Sequence, residues 1–166
     1  MKMKKHKWII GTMLVLMISL NACKDDDDDP LPQELKRTYA LAPVSDPDIS
    51  GNVTFTKVDA NSTRILIELE GTEAGNTHPA HIHANSASEG GPIAIDLGSV
   101  DGASGKSEIT VTQKNDGTPI TYEGLIAFDG YVNVHLSPTM LSTLIAQGNI
   151  GSNQAGTPGN GGNGGY

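Results

Sequence analysis

Thr63-Arg64-Ile65-Leu66-Ile67-Glu68-Leu69-Glu70 is the stretch from which the fold can be read. Ile65, Ile67 and Leu69 recur at every second position, while Arg64, Glu68 and Glu70 point the other way. A period of two puts the aliphatic side chains on one face of an extended chain and the charges on the other. That is the pattern of a half-buried antiparallel strand. Just before it, Asp59-Ala60-Asn61-Ser62 supplies turn residues. Residues 51–58 (GNVTFTKV) alternate in the same way, with Val53 and Phe55 on one face and Thr54 and Thr56 on the other.

Working outward, residues 38–41, 79–84, 93–97, 106–112, 120–128 and 131–136 have the length and composition of further strands. Residues 138–147 (PTMLSTLIAQ) are helical at most at their start, and Leu144–Ala146 is the alternative last strand. Seven or eight short strands separated by turn residues predict an all-β, Greek-key-like antiparallel β-sandwich over residues 37–150. Its core is expected to hold Ile65, Ile67, Leu69, Ile93, Ile95, Ile109, Val111, Val132 and Val134.

Composition sets the limits. The chain has 166 residues, enough for one domain of ordinary size. Aromatics are only 4% of it, so the core must be aliphatic. Acidic residues number 19 against 11 basic, and four of the basic ones, Lys2, Lys4, Lys5 and Lys7, precede the first apolar run. That balance argues against a nucleic-acid partner, because phosphate binding needs clustered Lys and Arg. One cysteine excludes a disulfide framework.

The two ends read as something other than fold. Residues 1–7 are basic, and Trp8 to Leu20 form an apolar run of thirteen residues, short of the roughly 20 that span a bilayer. Leu20-Asn21-Ala22-Cys23 follows, and it resembles a bacterial lipobox. The resemblance implies that residues 1–22 are a lipoprotein signal peptide and that Cys23 is lipidated, anchoring the chain to a membrane. Lys24-Asp25-Asp26-Asp27-Asp28-Asp29 cannot pack, because five adjacent carboxylates repel one another. Residues 23–36 are therefore expected to be an acidic tether. Cys-Lys-(Asp)n also resembles the surface-export signal of some Gram-negative lipoproteins, which implies an outer-membrane protein exposed at the cell surface; without export the domain faces the periplasm. Residues 151–166 (GSNQAGTPGNGGNGGY) lack any aliphatic side chain beyond alanine and are expected to be a disordered tail.

Histidine carries the chemistry. His78, His81 and His83 lie within six residues, and His135 follows later. On a strand, His81-Ile82-His83 sets both imidazoles on one face, about 6.5–7 Å apart at Cα, with Ile82 turned to the core. Tyr131-Val132-Asn133-Val134-His135 repeats the arrangement: Val132 and Val134 inward, Asn133 and His135 on the other side. Were the two strands neighbours, His81, His83 and His135 would form one cluster, and neutral imidazole suits copper or zinc. The alternative is a solvated histidine face, or histidines serving as hydrogen-bonding corner residues.

Three stretches in order, Ala80-His81-Ile82-His83, Gly91-Pro92-Ile93 and Tyr131-Val132-Asn133-Val134-His135, resemble the CHRD (chordin-type) domain found in many bacterial exported proteins. The resemblance spans roughly residues 39–150. The closing Gly-Glu-Ile-Arg-Gly-Gln run of that family is replaced here by Thr143-Leu144-Ile145-Ala146-Gln147-Gly148, which lacks the Arg. The CHRD domain is in turn similar in strand pattern to copper–zinc superoxide dismutase. That similarity implies copper ligands at His81, His83 and His135, with His78 in the preceding loop as a candidate fourth. No histidine lies between His83 and His135, so the bridging histidine and the zinc site of the dismutase have no counterpart.

Other chemistry is sparse. Ser86 and Ser88 have no Gly-x-Ser-x-Gly elbow around them, and Glu89 and Asp96 read as a loop and a strand-edge carboxylate. The glycines of residues 159–165 lack the lysine of a phosphate loop. The first functional expectation is thus a lipid-anchored, non-catalytic binding or adhesion module for an extracellular protein or glycan. The alternative is an envelope copper-binding protein using His81, His83 and His135, with dismutase-like redox activity as a third reading.

Overall fold

A computed structural model describes residues 34–154. The expected signal peptide, Cys23, the acidic run of Asp25 to Asp29 and most of the tether and tail lie outside the described residues. Eight strands and one short helix make up the domain: β1 Lys36–Pro43, β2 Ser50–Lys57, β3 Thr63–Glu70, β4 Thr77–Ala84, β5 Ile93–Asp101, β6 Lys106–Val111, α1 Tyr122–Ile126, β7 Asp129–His135 and β8 Leu144–Gly151. All pairings are antiparallel, in the order β1-β2-β3-β6-β5-β4-β7-β8, and β8 returns to β1. Within it β7-β4-β5-β6 is a Greek key, three consecutive strands with the fourth laid beside the first.

The all-β antiparallel class and the strand number are as the alternation predicts, but the sheet closes into a barrel where an open sandwich was expected. Closure depends on two short seams. One is the pair Asp101↔Lys106 between β5 and β6; the other is Ala42↔Gln147 and Pro43↔Ala146 between β1 and β8. A period of two says which face of a strand is buried. It says nothing about whether the edge strands meet, so three residue pairs decide what the pattern leaves open.

The inward positions carry the core. In β3, Thr63, Ile65, Ile67 and Leu69 are buried in strict alternation. Tyr39, Leu41, Val53, Phe55, Ile82, Leu97, Val132, Val134, Ile145 and Ile150 join them, and Tyr39 and Phe55 meet edge to face. Each large aliphatic side chain removed from water in this way contributes about 1.5–3 kcal/mol.

Two local expectations are corrected. Residues 120–128, expected as a strand, hold the helix Tyr122–Ile126. Thr121 caps it, its Oγ1 accepting the Gly124 N–H at 3.2 Å, and Tyr122 and Leu125 are buried one turn apart. Ile93, expected in the core, is 46% exposed. In the ladder between β4 and β5, Ile82 pairs with Ile95 but His83 pairs with Ile93. The extra residue, Ala94, packs against the core in its place and turns Ile93 outward.

Both ends of the barrel reach past the expected limits of 37 and 150. Lys36 pairs with Thr56, and Glu34 bonds Arg64 at 2.8 Å. Gly151 pairs with Asp129, and the Asn153 amide donates to Asn85 O, Asp129 Oδ1 and Gly130 O. No helix among the described residues is long and apolar enough to cross a membrane.

Candidate metal centre

β4 and β7 are neighbours. Their register sets Ala80 against Val134, Ile82 against Val132, His81 against Asn133 and His83 against Tyr131. Ala80, Ile82, Val132 and Val134 are all wholly buried, so the four apolar residues lock the two strands together on the core side. Their alternation then forces His81, His83 and His135 onto the outer side. His135 is diagonal to His81 across the ladder, within reach of a long ring.

The three rings converge. One ligand nitrogen from each of His81, His83 and His135 lies within 4.8 Å of the other two. His81 Nδ1 and His135 Nε2 are 3.0 Å apart, and the two ring centroids 5.0 Å.

Backbone carbonyls choose the ring atoms. His135 Nδ1–H donates to Leu141 O at 2.5 Å, and His83 Nδ1–H donates to Gly91 O at 2.9 Å. Each neutral ring thereby presents an Nε2 lone pair. His83 Nε2 is buried and has no hydrogen-bond partner. An orphaned buried nitrogen is costly unless something binds it. His83 is also fixed from the side: Tyr131 stacks on it at 5.0 Å and 21°, and the Tyr131 hydroxyl accepts the Gly91 N–H at 3.2 Å.

Burial favours the neutral form of two of the rings. Burial is the largest influence holding the His81 pKa below its ordinary value, with the neighbouring His135 adding to it; the Asp96 carboxylate pulls the other way. Burial likewise lowers His135, against the opposing hydrogen bond to Leu141 O. Neutral imidazole is the form that ligates.

The remaining candidates fall elsewhere. His78 is part of β4 itself, not of a loop before it. It faces the core beside Ala80 and Ile82, is 2% exposed, and its Nδ1–H donates to Leu136 O at 2.9 Å. It is not among the three converging residues. Glu89 accepts from the Ser86 N–H and hydroxyl and so closes the 85–92 loop, which lowers its pKa. Asn133 is buried beside His81, its Oδ1 accepting from Gln147 Nε2 at 2.8 Å. Sequence reasoning missed the supports, Gly91 O, Leu141 O and the Tyr131 ring. A backbone carbonyl leaves no trace in residue type. Compared with known protein families and with curated proteins, the chain matches none.

Proposed function

We propose that this domain binds one copper ion through His81 Nδ1, His83 Nε2 and His135 Nε2, and that it stores, buffers or delivers copper at the cell envelope. The observation that carries the reading is that His83, whose Nε2 is buried and without a partner, belongs to a group of three histidines offering one nitrogen each within 4.8 Å. The donor set fits a transition metal, and nitrogen ligands favour copper over zinc in the general affinity order. Metal–nitrogen bonds of 2.0–2.1 Å allow ligand atoms no more than about 4.2 Å apart. The pair at 3.0 Å is already compatible with one ion, and any wider pair closes by up to about 0.6 Å on loading.

The similarity of the CHRD strand pattern to copper–zinc superoxide dismutase supports the same three ligands. The missing bridging histidine argues for holding copper over superoxide turnover. Cys23 carries the lipid in this reading, and Lys24 with Asp25 to Asp29 directs the domain to the cell surface. The acidic tether is equally suited to the second reading, a non-catalytic adhesion module for an extracellular protein or glycan. Metal analysis of the mature chain purified without a histidine tag separates the two. One equivalent of copper supports the centre; none at neutral pH leaves the adhesion reading. For the anchor, Cys23→Ser is expected to leave the chain unprocessed or to release it from membranes, and normal processing with unchanged membrane partition would count against lipidation.

A further inference from the structure

Asp96 stands beside the three-histidine centre because β5 carries an irregularity. From His78↔Val100 and Pro79↔Ser99, an unbroken ladder would bring Leu97 opposite His81. One extra residue is accommodated at Leu97-Gly98, and His81 pairs with Asp96 instead. Gly98, at φ +72°, supplies the left-handed backbone of the bulge. Leu97 thereby stays in the core at 1% exposed, and Asp96 takes the outer face directly across from His81. Opposed residues of an antiparallel pair have Cβ atoms about 4.5–5.5 Å apart, within reach for a carboxylate and an imidazole. Asp96 is also held in place: its Oδ1 accepts the Gly98 N–H at 2.8 Å, and its own N–H donates to Asn115 Oδ1 at 3.0 Å. Its charge acts on His81, opposing the effect of burial on that ring.

The tautomer of His81 is what Asp96 can decide. His135 gives its Nδ1–H to Leu141 O, so its Nε2 carries a lone pair, and the 3.0 Å contact in the metal-free chain is His81 Nδ1–H donating to it. An ion held by both rings requires His81 Nδ1 to be bare. The neutral ring then carries its proton on Nε2: one proton leaves Nδ1 for solvent and one is taken up at Nε2, with no net release from His81. We propose that Asp96 is the outer carboxylate of the centre, accepting the Nε2–H of His81 and holding that ring with its Nδ1 lone pair toward the ion. This rests on the three-histidine reading. Carboxylates placed behind metal-bound histidines fix the tautomer and raise ligand basicity, and removing one typically costs 10–100-fold in metal affinity.

The test uses the untagged mature chain and Asp96→Asn, whose amide oxygen still accepts the Gly98 N–H but leaves no second oxygen for His81. Asp96→Ser, whose hydroxyl can also cap the bulge, is the second variant should the first not fold. Cu(II) competition titration is expected to show affinity 10–100-fold weaker in the variant. In the ¹⁵N-labelled Zn(II)-loaded chain, the His81 Nε2–H resonance is expected to be protected from exchange in the wild type and lost in the variant. Affinity within twofold of wild type, with that resonance unmoved, overturns the assignment. If the wild-type chain takes up neither ion, the centre itself fails and the assignment of Asp96, which rests on it, is overturned with it.

Discussion

At His83 both polar groups of one glycine are engaged: Gly91 C=O accepts the ring Nδ1–H, and Gly91 N–H donates to the tyrosine hydroxyl whose ring stacks on the same imidazole. A Cβ at position 91 would lie 2.0 Å from Ala84 O, so only glycine lets the turn approach β4 this closely. Gly91→Ala must move that backbone and release His83, and copper affinity measured by competition is expected to drop at least tenfold. Unaltered affinity would show that His83 needs no such support. Protonation gives a second outcome at this scale. His81 and His135 bind protons more weakly folded than unfolded, because burial lowers both pKa values from 6.5. Well above pH 6.5 neither state is charged and the fold loses nothing. As pH falls through that value the unfolded chain takes up protons first, so stability declines. Thermal unfolding of the metal-free chain is expected to show a falling midpoint between pH 7 and 5, shallower in the His81→Gln, His135→Gln double variant. Equal slopes in both proteins would contradict the neutral, buried assignment.

At the scale of the elements, the pairing of β4 with β7 builds the site, and its strength lies in the wholly buried residues between them. Ile82→Ala is expected to cost about 2–5 kcal/mol in chemical denaturation, from lost burial and the cavity left behind. A loss below 1 kcal/mol would mean the two strands are held by something else. The end of β8 matters too. Truncation after Gln154 is expected to leave stability unchanged, whereas truncation after Ile150 removes the Gly151 pairing and the Asn153 amide and costs about 1–3 kcal/mol by the same assay. Much of this was legible in the sequence. The alternation of residues 63–70 identifies β3, and His81-Ile82-His83 shows two imidazoles on one face before any partner strand is known. The two irregularities of β5 were not legible, because an inserted residue changes the face of Ile93 and Asp96 without changing composition. Nor was α1: Ile120 and Tyr122 suit a strand as well as a helix, and the capping bond from Thr121 decides between them.

For the molecule as a whole, the barrel is a rigid mount for a centre built on one outer face. Eight strands hold the inward side chains, and the strand period leaves His81, His83 and His135 on the outer side while His78 of the same strand faces the core. Closure through three residue pairs at two corners explains why strand patterns alone suggest two separate sheets. The measurement that most directly tests the centre is a Cu(II) titration of the untagged mature chain at pH 7.5, alongside His83→Ala. One equivalent bound by the wild type, and no stoichiometric binding by a folded His83→Ala variant, is the predicted result. No copper uptake by the wild type, or equal uptake by the variant, would contradict it.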